Sequence, residues 1–403
     1  MFSGNITRYR AIVIVVFCVF FTNHQVPRQC LSEEPSAVTF SCEPADDWSQ
    51  LFHRYNGWLG GDGIYTASFD QADYKDEADS TGDPQKTVFW FSDTLVGSAD
   101  ETSGRLIKCR MVNHSMGLLE GDQPKPENMT FYHNEGRSNL FGQKLWLQDG
   151  VLIGDRLYIL AYRPAANWKP EESFLVTVPL SDAQLDFAKY EVEPFNFLYE
   201  TQSHQLLFGA GILASPESDD VLIYGLRDSL RGGRKQLLVA KVARNDFADR
   251  RQWRFWTGEH WSENIADCDS DNAALARNVS SELSVTPIDI GSRRQYVLVC
   301  TKFGMSTELA YALADSPTSK FSELTTFYTC PEPAEQRDKV KQMYGDQANA
   351  YCYNAKAHPA ISAAGELLVS YNVNILNMRP GEFFKSNEHY YPRFVRLKYR
   401  LPQ

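Results

Sequence analysis

Five stretches of the chain share one outline: a short apolar strand, a polar turn, and a second strand rich in β-branched or aromatic residues. They are WLGGDGIYTASF…TVFWFSDTLVG (58–97), WLQDGVLIGDRLYILAYR (146–163), FGAGILASPESDDVLIYGLR (208–227), SSELSVTPIDIGSRRQYVLVCTK (280–302) and KAHPAISAAGELLVSYNVN (356–374). Runs of this kind separated by Gly, Asp and Ser predict β-hairpins. Aligned on the first strand, Asp62, Asp149, Ala210, Glu282 and His358 fall in one column, 87, 61, 72 and 76 residues apart. Each interval holds a four-stranded sheet with its turns. Repeated β units at such spacing predict radial blades, so the chain is expected to be all-β, a five-bladed β-propeller. The tail YYPRFVRLKYRLP, from Tyr390, alternates apolar and basic residues. It is read as a C-terminal closing strand that returns to the first blade and covers its edge.

Outside the hairpins, Arg8 and Arg10 precede the apolar run Ala11–Phe21. That run is about half of the roughly 20 residues a membrane span needs, so residues 1–30 are read as a signal peptide, with an uncleaved anchor as the alternative. Residues 31–50 read as a polar lead-in and 51–403 as a single propeller domain, secreted to an extracellular or periplasmic space. The insertion from Glu332 to Ala350 has the best composition for a short helix. Export makes structural disulfides the expected use of the cysteines, with Cys330 and Cys352 bracketing that insertion as the one pairing singled out. No C-x-x-C or His-rich spacing supports a metal site. Sequons stand at Asn113, Asn128 and Asn278. The formal net charge of −11 argues against nucleic acid or an anionic membrane as partner, and the protein is expected to act as a monomer.

If the hairpins are innermost in their blades, their starts converge. Asp62, Asp149, Glu282 and His358 would then share one pocket, with Ala210 leaving room. The companion column, at the ends of the second strands, holds Asp93, Arg163, Arg227, Lys302 and Asn372. Convergent carboxylates beside Trp58, Trp90, Trp146 and Tyr371 suit sugar chemistry: one acid protonates a leaving oxygen, a second serves as base or nucleophile, and rings pack on sugar faces. Asp62, Asp149 and Glu282 are the expected catalytic carboxylates, Asp62 as base or nucleophile and Glu282 as general acid, or the two exchanged, with Asp149 orienting them. Asp93, Trp90, Trp146, Arg163, Arg227, Lys302, His358, Tyr371 and Asn372 are the expected substrate contacts. Each has a plainer reading. Asp62 and Asp149 beside glycines suit turns, His358 before a proline suits a core histidine, and tryptophans pack between blades. No cofactor is expected, although a structural Ca²⁺ would draw on the same carboxylates.

The ordered set GGDG, FWFSDT, LWLQDGVLIGDRLYIL, SELSV and YNAKAHPAIS…GELLVSYNVN, spanning Asn56 to Arg400, resembles the five-bladed propeller families known as domains of unknown function 4185 and 5005. These are similar in shape to arabinanase- and fructosidase-like glycoside hydrolases. The resemblance implies a secreted carbohydrate-active propeller whose ligand is a polysaccharide or oligosaccharide, arabinan-like or another cell-wall glycan. Its motif acids would be Asp62, Asp149 and Glu282, with His358 as the motif histidine. A non-catalytic glycan-binding propeller is the other reading of the same residues.

Overall fold

The computed structural model describes residues 38–70, 86–134, 139–166, 168–181, 184–291, 293–379 and 383–400. The expected leader, with Cys18 and Cys30, lies outside the described residues. Strands dominate, in six antiparallel sheets among those residues. Five strands, Tyr65–Ser68, Trp146–Ile153, His204–Ala214, Leu283–Ile290 and Asn349–Ala357, lie each against the next in chain order. The turn Pro359–Ile361, just after the last of them, comes back against Tyr65–Ser68, so the series closes on itself.

Side-chain packing explains why the later strands of each sheet read as nearly unbroken apolar runs: their sheets are covered on both faces. Tyr65, Val88 and Trp90 of the first hairpin pack on Leu147, Ile159 and Val176 of the second sheet. Leu160 and Leu175 of that sheet meet Phe208, Ile223 and Leu238 of the next. Leu213 and Leu222 face Val285 and Leu298, and Val297 and Leu309 face Val369 and Val395. The last junction, between Leu368 and Phe394 on one side and Phe89 and Phe91 on the other, is filled by Phe52.

Phe52 belongs to the helix Asp46–Phe52, which buries Trp48, Leu51 and Phe52. The strand before it, Thr39–Pro44, pairs antiparallel with Arg393–Arg400. From Thr39 on, therefore, the segment expected as a loose polar lead-in is built into the fold. The tail strand also differs from expectation. Arg393–Arg400 lies between Glu366–Leu376 and Thr39–Pro44 in the last sheet and does not pair with the first. The free edge of the last sheet is covered by the amino-terminal strand coming to the tail, which leaves Arg393–Arg400 paired on both sides. The insertion after Cys330 is helical as its composition predicts, over Glu332–Glu335 and Arg337–Tyr344. The bridge expected between Cys330 and Cys352 is not formed here: the six described cysteines are free thiols.

Candidate active site

Three strands of the first hairpin region pass through two sheets, and each breaks at the same level. Asn56–Gly61 resumes as Tyr65–Ser68, Lys86–Phe91 as Thr94–Ala99, and Leu106–Val112 as Ser115–Glu120. The breaks hold Asp62, Asp93 and Asn113. Asp62 N–H donates to Asp93 O (3.1 Å) and Ser92 N–H to Asp62 O (2.7 Å), so backbone bonds fix both acids at the crossing. Two glycines permit it. Gly63 has φ +58°, and a Cβ there would stand 2.9 Å from the Ser92 side chain. A Cβ on Gly60 would lie 2.3 Å from Tyr390 O, so only glycine lets that segment approach.

The approach carries Tyr390 onto the acid. Asp62 Oδ2 accepts from Tyr390 Oη (3.0 Å) and from Tyr353 Oη (2.9 Å). Asp93 Oδ1 accepts from Asn113 Nδ2 (3.2 Å) and Trp146 Nε1 (3.0 Å). Burial pushes the Asp62 carboxyl well above its usual range, and the neighbouring charges of Asp93 and Glu282 push the same way against the two tyrosine bonds. Asp93 is raised too, chiefly by burial, with the bonds from Asn113 and Trp146 opposing.

Glu282 enters from the opposite side, just before Leu283–Ile290, where Ser280 Oγ donates to its carbonyl. Its carboxylate accepts from Lys356 Nζ in a buried ion pair; the side chains are 11% and 3% exposed. Lys356 Nζ also lies 4.0 Å from the Tyr65 ring centroid, a cation–π contact in a dry setting. A β-bulge aims this lysine. Tyr353 pairs with Asn372 and Lys356 with Ser370, so two residues, Asn354 and Ala355, oppose one partner, and Asn354 takes φ +59°. The same two-against-one device recurs at Gln148–Asp149, and the strand His204–Ala214 carries a larger irregularity, with Gly209 and Ala210 both inserted between paired neighbours.

Asp62, Glu282 and Tyr353 line a cavity of about 310 Å³ with Tyr162, Trp146 and Trp168. The Tyr162 hydroxyl is raised by burial and by Glu282, Asp62 and Asp93, which places it among the acids. Trp168, 66% exposed, stacks parallel on Trp146 with ring centroids 5.7 Å apart. The well thus has an acidic floor and a two-ring wall, with one ammonium bound to one of its acids.

Several expected site residues lie elsewhere. Asp149 does not line the cavity; its carboxylate accepts from Gly150 N (2.8 Å) and from Ile212 N (2.6 Å), tying the second sheet to the third. His358 is a core histidine between Thr66 Oγ1 (3.1 Å) and Ser370 Oγ (2.7 Å), its pKa held well below the usual value by burial and by Lys356. The fifth position in the column is taken by Lys356 instead, because the strand in the inner series is Asn349–Ala357 and not the segment after His358. Ala210 does not line the cavity; it is fully buried in the core with Leu213 and Leu283. Trp90 is fully buried, donating to Gln148 O (2.8 Å) and stacking on Tyr65. Trp58 is likewise buried, donating to Ser115 Oγ (3.0 Å).

The basic residues of the companion column also stand outside the well. Arg163 pairs with Glu172 (2.5 Å), Arg227 with Asp269 (2.5 Å) and Asp271 (3.0 Å), and Lys302 faces Glu308 (3.8 Å). Tyr371 donates to Glu332 Oε1 (2.9 Å), and Asn372 Nδ2 to Gly61 O (2.9 Å), so the latter buttresses the Asp62 strand from behind. Tyr353, Lys356, Tyr162, Trp168 and Tyr390 were not legible as site residues. For Lys356 a signal exists: it is a lysine inside an otherwise apolar inner strand, YCYNAKA.

Neither metal reading fits the donors present. The well's carboxylates already receive two hydroxyls and an ammonium, whereas Ca²⁺ asks for six to eight free oxygens. Among the described residues one trio, Cys330, Glu332 and Cys352, brings ligand atoms within 4.8 Å of one another. Arg393 Nε stands 2.8 Å from Glu332 Oε1 and supplies the positive charge there.

Among solved structures, a Bacteroides ovatus ATCC 8483 protein, provisionally assigned as a hydrolase, superposes with a TM-score of 0.65 at 18% identity, covering 92% of this chain and 93% of its own. The match establishes a shared fold. Weaker likenesses join the chain to a thermostable family-43 glycoside hydrolase (TM-score 0.41, 10% identity, 85% and 94% covered) and to the catalytic domain of the Coprinopsis cinerea GH62 α-L-arabinofuranosidase (0.41, 11%, 91% and 98%). No protein of curated function matches. Residues 45–399 match the family described as "Domain of unknown function (DUF5005)", and the chain belongs to that family.

Proposed function

We propose that the protein is a secreted glycoside hydrolase on a five-bladed β-propeller, acting as a monomer on a polysaccharide. The six sheets group as five blades because the two amino-terminal sheets share the strands that break at Asp62, Asp93 and Asn113. Export is supported by the basic and apolar leader. One observation carries the enzymatic reading: Asp62 and Glu282, from opposite sides of the ring, face one cavity beside stacked tryptophans.

The charges divide the labour. Glu282 is ion-paired with Lys356, whereas Asp62 receives only hydroxyl donors and is held well above its usual range, so the proton is assigned to Asp62. Asp62 is therefore the general acid, giving its proton to the glycosidic oxygen as the C1–O bond breaks. Glu282 is the anionic partner, either drawing a proton from the attacking water or attacking C1 itself; anomeric configuration of the product distinguishes the two. Asp93 positions Trp146 and keeps Asp62 protonated through its negative charge. Tyr353 and Tyr390 hold Oδ2 of Asp62, leaving Oδ1 for the substrate.

The test is reducing-sugar release from a panel of plant, algal and bacterial-wall polysaccharides. The wild type is expected to cleave at least one, and Asp62→Asn and Glu282→Gln to lose about 10²–10⁴-fold. Wild type and both variants equally inert, with polymer binding retained, would replace this reading with that of a glycan-binding propeller.

A further inference from the structure

Two exposed aromatic residues flank the acid well, and both sit on left-handed backbone. Trp168 has φ +67° and Phe303 φ +62°, the latter 50% exposed. Such conformations are strained for side chains of this kind and persist where the surroundings enforce them. Trp168 already belongs to the cavity wall. Phe303 is fixed by its own turn: Phe303 N–H donates to Asn278 O (2.9 Å), Lys302 N–H to Glu308 O (2.9 Å), and Gly304 N–H to Thr301 O (3.2 Å). An exposed ring held this firmly is a preformed platform.

Its surroundings are cationic. The Arg234 guanidinium lies 5.0 Å from the Phe303 ring centroid and Lys302 Nζ 5.8 Å from it. Arg234, Lys235 and Phe303 line a hollow of about 310 Å³. Lys235 lines the acid cavity as well, and its Nζ donates to Ser281 Oγ (2.9 Å) beside Glu282. The hollow and the well thus share Lys235 as a common wall. Asp228 and Glu308 partly offset Lys235 and Lys302, at 3.5 and 3.8 Å, while Arg234 has no ion-pair partner among the described residues. In a chain of net charge −11, Arg234 thus leaves a local excess of positive charge beside the ring.

We propose that this hollow takes a sugar unit bearing an anionic group, a uronate carboxylate or a sulfate ester, so that the polymer acted on is acidic. Phe303 packs on the sugar face while the Arg234 fork reaches the anion. The assignment rests on the hydrolase reading for its place beside the scissile bond.

Binding and cleavage are read separately. The Asp62→Asn protein, with and without Arg234→Met, is titrated calorimetrically with polygalacturonate, a sulfated galactan and neutral arabinan. Arg234 is exposed, so its replacement should leave the melting temperature unchanged. At least one acidic polymer is expected to bind, about tenfold more weakly after Arg234→Met and more weakly still in about 0.5 M salt. Polygalacturonate or the galactan then identifies carboxylate or sulfate. Binding of neither acidic polymer, or acidic binding indifferent to Arg234 and to salt, overturns the proposal. An acidic polymer held through Arg234 yet never cleaved by the wild type supports it and sinks the hydrolase reading instead. Cleavage confined to neutral polymers does the opposite.

Discussion

Replacing Lys356 by Met tests whether the Glu282 ion pair organises the well. The substitution preserves the apolar stem and removes the ammonium, leaving a carboxylate whose side chain is 11% exposed without its cation. Breaking a buried pair from one side costs about 3–5 kcal/mol, far more than losing a surface pair. Glu282 opens onto the cavity, so water relieves part of the penalty and the lower end, about 3 kcal/mol, applies. An unfolding entropy of about 2.1 cal/mol/K per residue over residues 38–403 gives roughly 0.8 kcal/mol/K. The melting temperature should therefore fall by about 4 °C. The companion Lys356→Met/Glu282→Gln removes both charges and should recover most of that loss, since no buried charge is left unpaired. Thermal melts of wild type, both single variants and the double variant at neutral pH close the cycle. A double variant as unstable as Lys356→Met, or a Lys356→Met protein that melts with the wild type, would refute the pairing argument.

Two further outcomes follow from the other side of the well. Asp62 is held well above its ordinary value of 3.8, so the folded chain keeps this proton more tightly than the unfolded one. That contribution is complete below the unfolded value and disappears as pH rises through the folded value. An amide in place of the carboxyl has no proton to lose: Asp62→Asn should melt progressively higher relative to wild type as pH is raised from about 4 to 8, and a pH-independent difference would contradict it. At Gly60, a Cβ would meet Tyr390 O at 2.3 Å and Tyr390 C at 2.8 Å, both backbone atoms that cannot swing aside. Gly60→Ala should cost about 1–3 kcal/mol by overpacking and lower activity by drawing the Tyr390 hydroxyl off Asp62; a variant with wild-type melting and turnover shows that the contact is slack.

What the sequence disclosed, and what it withheld, follows the same physics. Asp62, Asp93 and Glu282 were legible because each marks a strand boundary, and boundaries carry turn residues and acids that interrupt an apolar run. Trp146 and Trp90 were indistinguishable as residue types. The pleat separates them: Trp90 points into the packing between sheets, whereas Trp146 faces the well and donates to Asp93. His358 was misplaced because the hairpin template takes the segment after His358 for the inner strand, whereas the inner strand is Asn349–Ala357 and presents Lys356, aimed by the bulge at Asn354–Ala355. Tyr390 and Tyr353 come from segments outside the first hairpin, so no spacing within the repeat announces them.

The same bulge underlies the division of labour proposed for the two acids of the well. A ring of repeats delivers equivalent positions, and equivalent acids crowded together would simply share protons with no fixed donor. Here the equivalence is broken on one side only. The bulge turns Lys356 onto Glu282, while Asp62 has only hydroxyl donors and stands beside Asp93. The two carboxyls are thereby placed in unlike surroundings, one beside an ammonium and one beside a second acid, which is the asymmetry the proposed two-carboxylate hydrolysis asks for. If Lys356→Met instead left the acid limb of a pH–rate profile where it was, that asymmetry would have to arise elsewhere in the ring.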